Sequence, residues 1–453
     1  MEPIINPTLK IEVNNRQILS LALPIALAMV VPQINFITNN IFLGMLGERE
    51  LGNAGITGVY YLVFAVMGNG LNNGIQSLVS RQAGQDNPSG IHPIVGQGAL
   101  FAVLLATIGI TFTWFVAPIL LSPFVNKQDF AIEMNFLHIR IVGLLFLYLF
   151  QLFNAFLVGT LNAKLLMLGF MVEALSNIFF DYVLIFGHWG FPQLGFNGAA
   201  WASVLAEGLG LGTILLVMVF SGLKRRFGIY FNLKIENKQF LEIVNISTPL
   251  IFQYVISLST WLIFFVMIEN AYTVREKAIS NLMRNVFGLT GVLSWAFAST
   301  TNTVVSNLIG QGKIEQVIPA VWRIALMSLG YAAFIGVMLN LFPETFFRLF
   351  QTDPAFIAEG IPVLRTVTIG MLTMSLAAVW MNAVVGTGRT KVNLMAEILS
   401  IIIYIGYSWF MVNYLKESVS LAWFNELIYW VLIFIICGSY MYSSHWKKNL
   451  IPT

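Results

Sequence analysis

The chain has 453 residues, 57% of them hydrophobic and only 10% charged, with a formal net charge of +3. A soluble globular domain carries roughly 25% charged residues, so these few charges cannot clothe a water-facing surface, and a soluble enzyme is excluded. Cys437 is the one cysteine, which excludes an internal disulfide framework. The four histidines have no metal-ligand spacing, and no basic stripe interleaved with aromatics suits nucleic acid.

The apolar runs predict an all-α membrane protein of about twelve transmembrane helices. Their expected places are about 17–45, 54–80, 92–119, 131–159, 164–187, 196–221, 239–269, 277–309, 316–342, 356–386, 391–414 and 419–443. The first run, from near Ile18 to about Leu46, is too long for a signal sequence and has no small-residue cleavage site, so an uncleaved span is expected. Turn chemistry marks the breaks: Asp86-Asn87-Pro88-Ser89-Gly90, Gly187 to Gly195, Gly310-Gln311-Gly312 and Gly386-Thr387-Gly388.

An even helix count puts both termini on one side. The termini and the loops of that side carry about 14 Lys and Arg, against about 6 in the opposite loops, which predicts cytoplasmic termini in an inner membrane. Lys224, Arg225, Arg226, Lys234 and Lys238 form the densest cluster, in the longest loop.

The two halves repeat at an offset of about 226 residues. Val79-Ser80 before Gly84-Gln85 matches Val305-Ser306 before Gly310-Gln311. Pro24, Pro93, Phe130 and Glu133 match Pro249, Pro319, Phe356 and Glu359. Val158-Gly159-Thr160 matches Val385-Gly386-Thr387, and Met171, Glu173, Leu175 and Ser176 match Met395, Glu397, Leu399 and Ser400. The expected domains are an N-terminal lobe at 1–221, a cytoplasmic linker at 222–238 and a C-terminal lobe at 239–453. An even number of spans in each half predicts two six-helix lobes related by a pseudo-two-fold along the membrane normal, with a cavity between them.

Polar side chains inside spans are costly, about 3 kcal/mol for a charge at the bilayer centre, so each needs a reason. The fifth helix carries Glu173, Asn177 and Asp181 on one face. Desolvation disfavours the charged form of a carboxylate there, which makes Asp181 a candidate proton carrier; an interhelical hydrogen bond is the alternative. Counted from the outer helix ends, Asn39, Asp181 and Ser203 lie at one level, roughly 8–10 Å inside. With Asn177 they form a candidate cation or proton site of oxygen ligands. Asn35, Asn69, Asn73, Gln76 and Glu207 are candidate cavity residues of the first lobe, and Asn281, Arg284 and Asn285 of the second.

The repeat is an internal control. Asn177, Asp181, Asn39 and Asn69 become Ile401, Ile405, Phe264 and Trp295 in the second half, so the ion site is expected in the first lobe alone. Glu173 keeps its acid as Glu397, so both look more structural than Asp181. Pro24 and Pro32 remove backbone hydrogen bonds from the first helix and mark a candidate hinge or kink. Gly208, Gly210 and Gly212 suit close helix packing. No Walker motif occurs, so the expected energy source is an ion gradient and no cofactor is called for.

Several stretches resemble the multidrug and toxic compound extrusion (MATE) family. These are Leu21-Ala22-Leu23-Pro24 onward to Leu43-Gly44-Met45-Leu46-Gly47, and Asn177-Ile178-Phe179-Phe180-Asp181 with Leu184-Ile185-Phe186-Gly187, Gly190-Phe191-Pro192 and Gly198-Ala199-Ala200. Val158-Gly159-Thr160 and Val385-Gly386-Thr387-Gly388 resemble a motif repeated after the fourth and tenth helices. The resemblance implies an antiporter that exports small amphipathic organic compounds in exchange for H⁺ or Na⁺, working as a monomer in the lipid bilayer. It places the cation site of one branch on Asn39, Asn177, Asp181 and Ser203, with Asn39 where that branch has an acid. The acid of the other branch falls on Ser257, so no second-lobe cation site is expected. A lipid-linked precursor flippase of the same superfamily and a degenerate non-transporting homologue are the alternatives.

Overall fold

The computed structural model describes residues 8–123, 125–229 and 235–447. Lys234 of the expected linker cluster lies outside the described residues. The described chain is helical without strands. Its twelve long helices are α1 (Asn15–Leu46), α2 (Glu48–Gly84), α3 (Pro88–Phe115), α4 (Phe130–Gly159), α5 (Ala163–Phe186), α6 (Phe196–Phe220), α7 (Asn237–Ala271), α8 (Val274–Gly310), α9 (Ile314–Leu341), α10 (Pro354–Gly386), α11 (Thr390–Leu415) and α12 (Val419–Tyr442). Eleven are both long and apolar enough to span a membrane. The exception, α8, has 37 residues but is more polar: Arg275, Glu276, Lys277 and Arg284 fall in its first half, and Ser299, Thr300, Thr301, Asn302 and Thr303 in its second. A helix satisfies its backbone polar groups within its own segment, without water, which is why continuous apolar spans take this form.

Each expected break is a break. Asn87 caps α3, its side chain accepting from the Gly90 amide at 3.2 Å, with Pro88 in the first turn where its missing N–H costs nothing. Gly187 ends α5 with φ 75° and Gly195 precedes α6 with φ 57°, backbone values that suit glycine. Helix α1 runs unbroken through Pro24 and Pro32. Large apolar side chains such as Ile108, Phe220, Phe334 and Ile402 are exposed, which suits surfaces solvated by lipid tails.

The chain forms two compact units. One is Leu27–Ile251 with the chain up to Lys10, and the other is Ile11–Ala26 with Phe252 onward. The division therefore falls inside α1, between its two prolines, and inside α7, just past Pro249. In the first unit α5 and α6 pack along their length; in the second, α10 is the most enclosed span and packs against α8 and α12.

The repeat appears in the packing. A Cβ on Gly159 would lie 2.8 Å from Val79 Cγ1, and one on Gly386 would lie 2.8 Å from Val305 Cβ and 3.0 Å from the Asn302 carbonyl oxygen. In both units the matched glycine thus meets the matched valine, and in the second Ser306 also donates to the Gly386 carbonyl at 2.9 Å. Gly386→Val is expected to destabilise the fold by about 1–3 kcal/mol, because backbone stands in the way and cannot yield. Thermal unfolding of the purified protein checks this; an unchanged midpoint contradicts the contact.

Candidate functional site

In the first unit, Ser203 on α6 joins two neighbouring helices. The Asn39 Nδ2 of α1 donates to its Oγ at 3.3 Å, and the Asn177 Nδ2 of α5 donates to the same oxygen at 3.4 Å. Asp181 follows Asn177 by one turn on the same face of α5, about 6 Å along the axis, and is fully buried. Three of the four residues expected at the cation site are therefore hydrogen-bonded together, and the fourth is one turn away. With both amide groups turned toward Ser203, the Oδ1 atoms of Asn39 and Asn177 and both carboxylate oxygens of Asp181 are buried without a hydrogen-bond partner in the protein. Asn35, one turn earlier on α1, adds another such Oδ1. Buried polar atoms are nearly always satisfied, so a group of bare oxygens from two helices asks for a proton or a hard cation, which takes oxygen ligands. Among the described residues no three His, Cys, Asp or Glu side chains come together as a metal site.

The two ends of this region differ. Beyond it, Leu43, Ile185, Phe196, Ala199 and Ala200 close into one apolar cluster with Phe136 of α4, whose ring stacks on Phe196 at 4.4 Å. These residues follow Asn39 and Asp181 by one turn and precede Ser203, so the cluster covers one end. At the other end, one turn past Ser203, Glu207 is held by Arg140 of α4 through two parallel bonds, Nη1 to Oε2 at 3.0 Å and Nη2 to Oε1 at 2.6 Å. The guanidinium also lies 3.6 Å over the Tyr61 ring, and the Tyr61 hydroxyl donates to Glu207 Oε1 at 3.2 Å. Glu173 lies within electrostatic reach of this pair, and its Cβ packs 3.1 Å from where a Cβ on Gly210 would be. Of Gly208, Gly210 and Gly212, Gly210 is the one at a close approach and the other two have room; earlier on α6, a Cβ on Gly198 would lie 2.6 Å from the Leu184 carbonyl oxygen.

Sequence reasoning overlooked Arg140 and Tyr61. The signal was present: Arg140 is a lone cation inside an apolar span, the same anomaly that singled out Asp181. The expected cavity residues fall into separate groups. Asn69 accepts from Gln151 Nε2 at 3.3 Å, in an amide network with Asn72 and Asn154 that joins α2 to α4. Asn73 and the buried Gln76 follow on α2, and Glu207 belongs to the Arg140 pair. In the second unit, Asn281 and Asn285 are exposed on α8, and the Arg284 guanidinium lies 5.3 Å from the centre of the Phe265 ring.

Three comparisons bear on this geometry. A multidrug resistance protein NorM of Thermotoga maritima, itself described as probable, is 22% identical over 445 residues, covering 97% of this chain and 94% of that protein. A probable NorM of Synechocystis is 23% identical over 370 residues, covering 79% and 78%. A solved structure described as the outward-facing conformation of a multidrug resistance MATE family transporter has the same fold, with a TM-score of 0.85 over 99% of both chains at 17% identity. The MatE family model matches residues 24–183 and 237–410, one segment in each half. With both repeats matched and the helical plan shared end to end, this multi-pass membrane protein belongs to the MatE family, the multidrug and toxic compound extrusion transporters.

Proposed function

We propose that this protein is a secondary active antiporter that exports small amphipathic organic compounds in exchange for H⁺, or Na⁺, by alternating access. Both termini would be cytoplasmic and the membrane the inner one of a bacterium. The observation that carries the reading is the set of bare buried oxygens on Asn39, Asn177 and Asp181 beside Ser203. One carboxylate is the only formal charge among the four residues. A proton neutralises it outright; Na⁺ would balance it but would find amide and hydroxyl oxygens for the rest of its shell. The balance favours H⁺, since an ionised carboxylate without partners is expensive in a low-dielectric interior.

The test is efflux of a cationic dye from proteoliposomes under an imposed pH gradient or an imposed Na⁺ gradient. Efflux driven by the pH gradient supports the reading, and efflux indifferent to both gradients overturns it. Asn39→Asp adds a second carboxylate beside Ser203 and is expected to strengthen the Na⁺ dependence of efflux. No change in Na⁺ response would remove residue 39 from the ligand set.

A further inference from the structure

Arg284 lies well inside α8 and has no acid beside it. The helix opens with Arg275, Glu276 and Lys277, and Arg284 follows Lys277 by two turns, about 15 Å from the Val274 end. Arg275 pairs with Glu359 at 2.9 Å and with Asp353 at 3.3 Å, and Lys277 pairs with Glu269 at 3.1 Å. Arg284 pairs with no acid among the described residues, and its guanidinium donates no hydrogen bond; it lies 5.3 Å from the centre of the Phe265 ring of α7. Asn281, one turn before it, and Asn285, next to it, are exposed and also make no side-chain hydrogen bond. One turn after it, Gly288 is exposed, and a Cβ there would meet nothing within 4 Å.

Such a face does not front lipid. A guanidinium and two amides would be stranded in hydrocarbon, whereas charged side chains of spans face a bundle interior or a water-filled cavity. The repeat indicates that the fold does not require them. At the offset of 226, Asn281, Arg284 and Asn285 correspond to Gly55, Gly58 and Val59 of α2. A group that held helices together would be expected in both halves, and this one bonds to no helix.

The wall beside Arg284 is aromatic and fixed. The Phe265 ring meets Trp261, one turn earlier on α7, edge to face at 4.7 Å, and Trp423 at 5.9 Å. Trp423 is fully buried, and its Nε1 donates to Ser280 of α8, one turn before Arg284, at 3.0 Å. Trp261 and Phe265 are half-buried, so part of each ring stays accessible. A guanidinium presents its N–H donors in a planar fork that binds a carboxylate through two parallel bonds. Aromatic rings take up the flat apolar body of a ligand. Charge, donors and apolar surface therefore converge on one kind of compound.

We infer that the α7–α8 face of the C-terminal half, anchored by Arg284, is a binding site for aromatic compounds that carry a carboxylate. Asn281 and Asn285 supply further amide donors, and Phe265 and Trp261 the apolar contact. The inference rests on the export reading and deepens it, since it names the substrates that the second half favours. A cationic dye gains nothing from Arg284, so dye efflux tests the antiport reading on its own.

The test is binding of cinnamate and of its neutral amide, cinnamamide, to the full-length protein in phosphatidylcholine nanodiscs at neutral pH. Equilibrium dialysis reads the affinities, with protein-free nanodiscs as the blank for partition into lipid. Cinnamate is expected to bind at least about tenfold more tightly than cinnamamide, a difference of about 1.4 kcal/mol. Arg284→Gln is expected to remove that preference. Arg284→Lys, which keeps the charge and loses the paired bonds, is expected to keep part of it. No binding of cinnamate, equal affinity of the two compounds for the wild-type protein, or a preference that survives Arg284→Gln overturns the assignment. The wild-type comparison decides even where Arg284→Gln does not fold. Failure of the antiport reading is distinguishable, since dye efflux would then ignore imposed gradients while cinnamate still bound more tightly than cinnamamide.

Discussion

Replacing Asp181 by Asn is expected to reduce gradient-driven efflux at least about tenfold, a coupling loss of about 1.4 kcal/mol or more, while leaving the fold as stable as before. Both parts follow from the same geometry. Asp181 is fully buried and neither of its oxygens is hydrogen-bonded, so no structural contact depends on its charge. The amide has nearly the same shape and is easier to bury than an ionised carboxylate. What disappears is the one group of the four that can exchange a proton. Paired measurements of efflux under a pH gradient and of thermal unfolding separate the two parts. Coupled efflux that persists in Asp181→Asn sinks the site assignment. A protein that also unfolds early would mean that the side chain has a structural partner in another conformation.

The spans and breaks were legible because they rest on local chemistry. An apolar run of sufficient length has one structural outcome in a bilayer, and Asn87-Pro88 or Gly187 interrupts it whatever the tertiary fold. The repeat was legible too, and the Gly159–Val79 and Gly386–Val305 contacts are its physical content. The Asn39, Asn177 and Ser203 grouping came from helix face and depth, and these three do meet. What the sequence could not supply was which helix faces which. Glu173 and Glu397 occupy matching positions and looked like the same structural device. Their surroundings differ: Glu173 lies near Arg140 and Glu207, while Glu397 is held by Tyr429, Gln253 and Ser257 with no cation. Ser257 of α7 is hydrogen-bonded to the Glu397 carboxylate of α11, a contact between two helices far apart in the sequence.

Arg140 was visible as a lone cation in an apolar span, but its pairing with Glu207 was not, and that pair carries the largest expected effect on stability. Arg140→Ala leaves the Glu207 carboxylate buried with only Tyr61 as donor, and should destabilise the protein by about 3–5 kcal/mol. Part of that is the lost stacking of the guanidinium on the Tyr61 ring, on the order of 1–2 kcal/mol in a desolvated setting. Arg140→Lys keeps the charge but cannot reproduce two parallel bonds and a planar stack, so an intermediate loss is expected. The double variant Arg140→Met/Glu207→Leu should recover most of the stability, because a buried ion pair can be replaced by apolar groups at little net cost. Thermal unfolding of the purified proteins reads this series directly. The transport assay then asks a separate question of the double variant. If it is stable but exports poorly, the pair between α4 and α6 does more than hold helices together. Its single cation near Glu173 and one turn past Ser203 would then help set the charge balance under which Asp181 exchanges its ion. If the double variant exports normally, the pair is a structural tie. A wild-type unfolding midpoint in Arg140→Ala would contradict the pair itself, since no other described side chain replaces the two bonds that Glu207 loses.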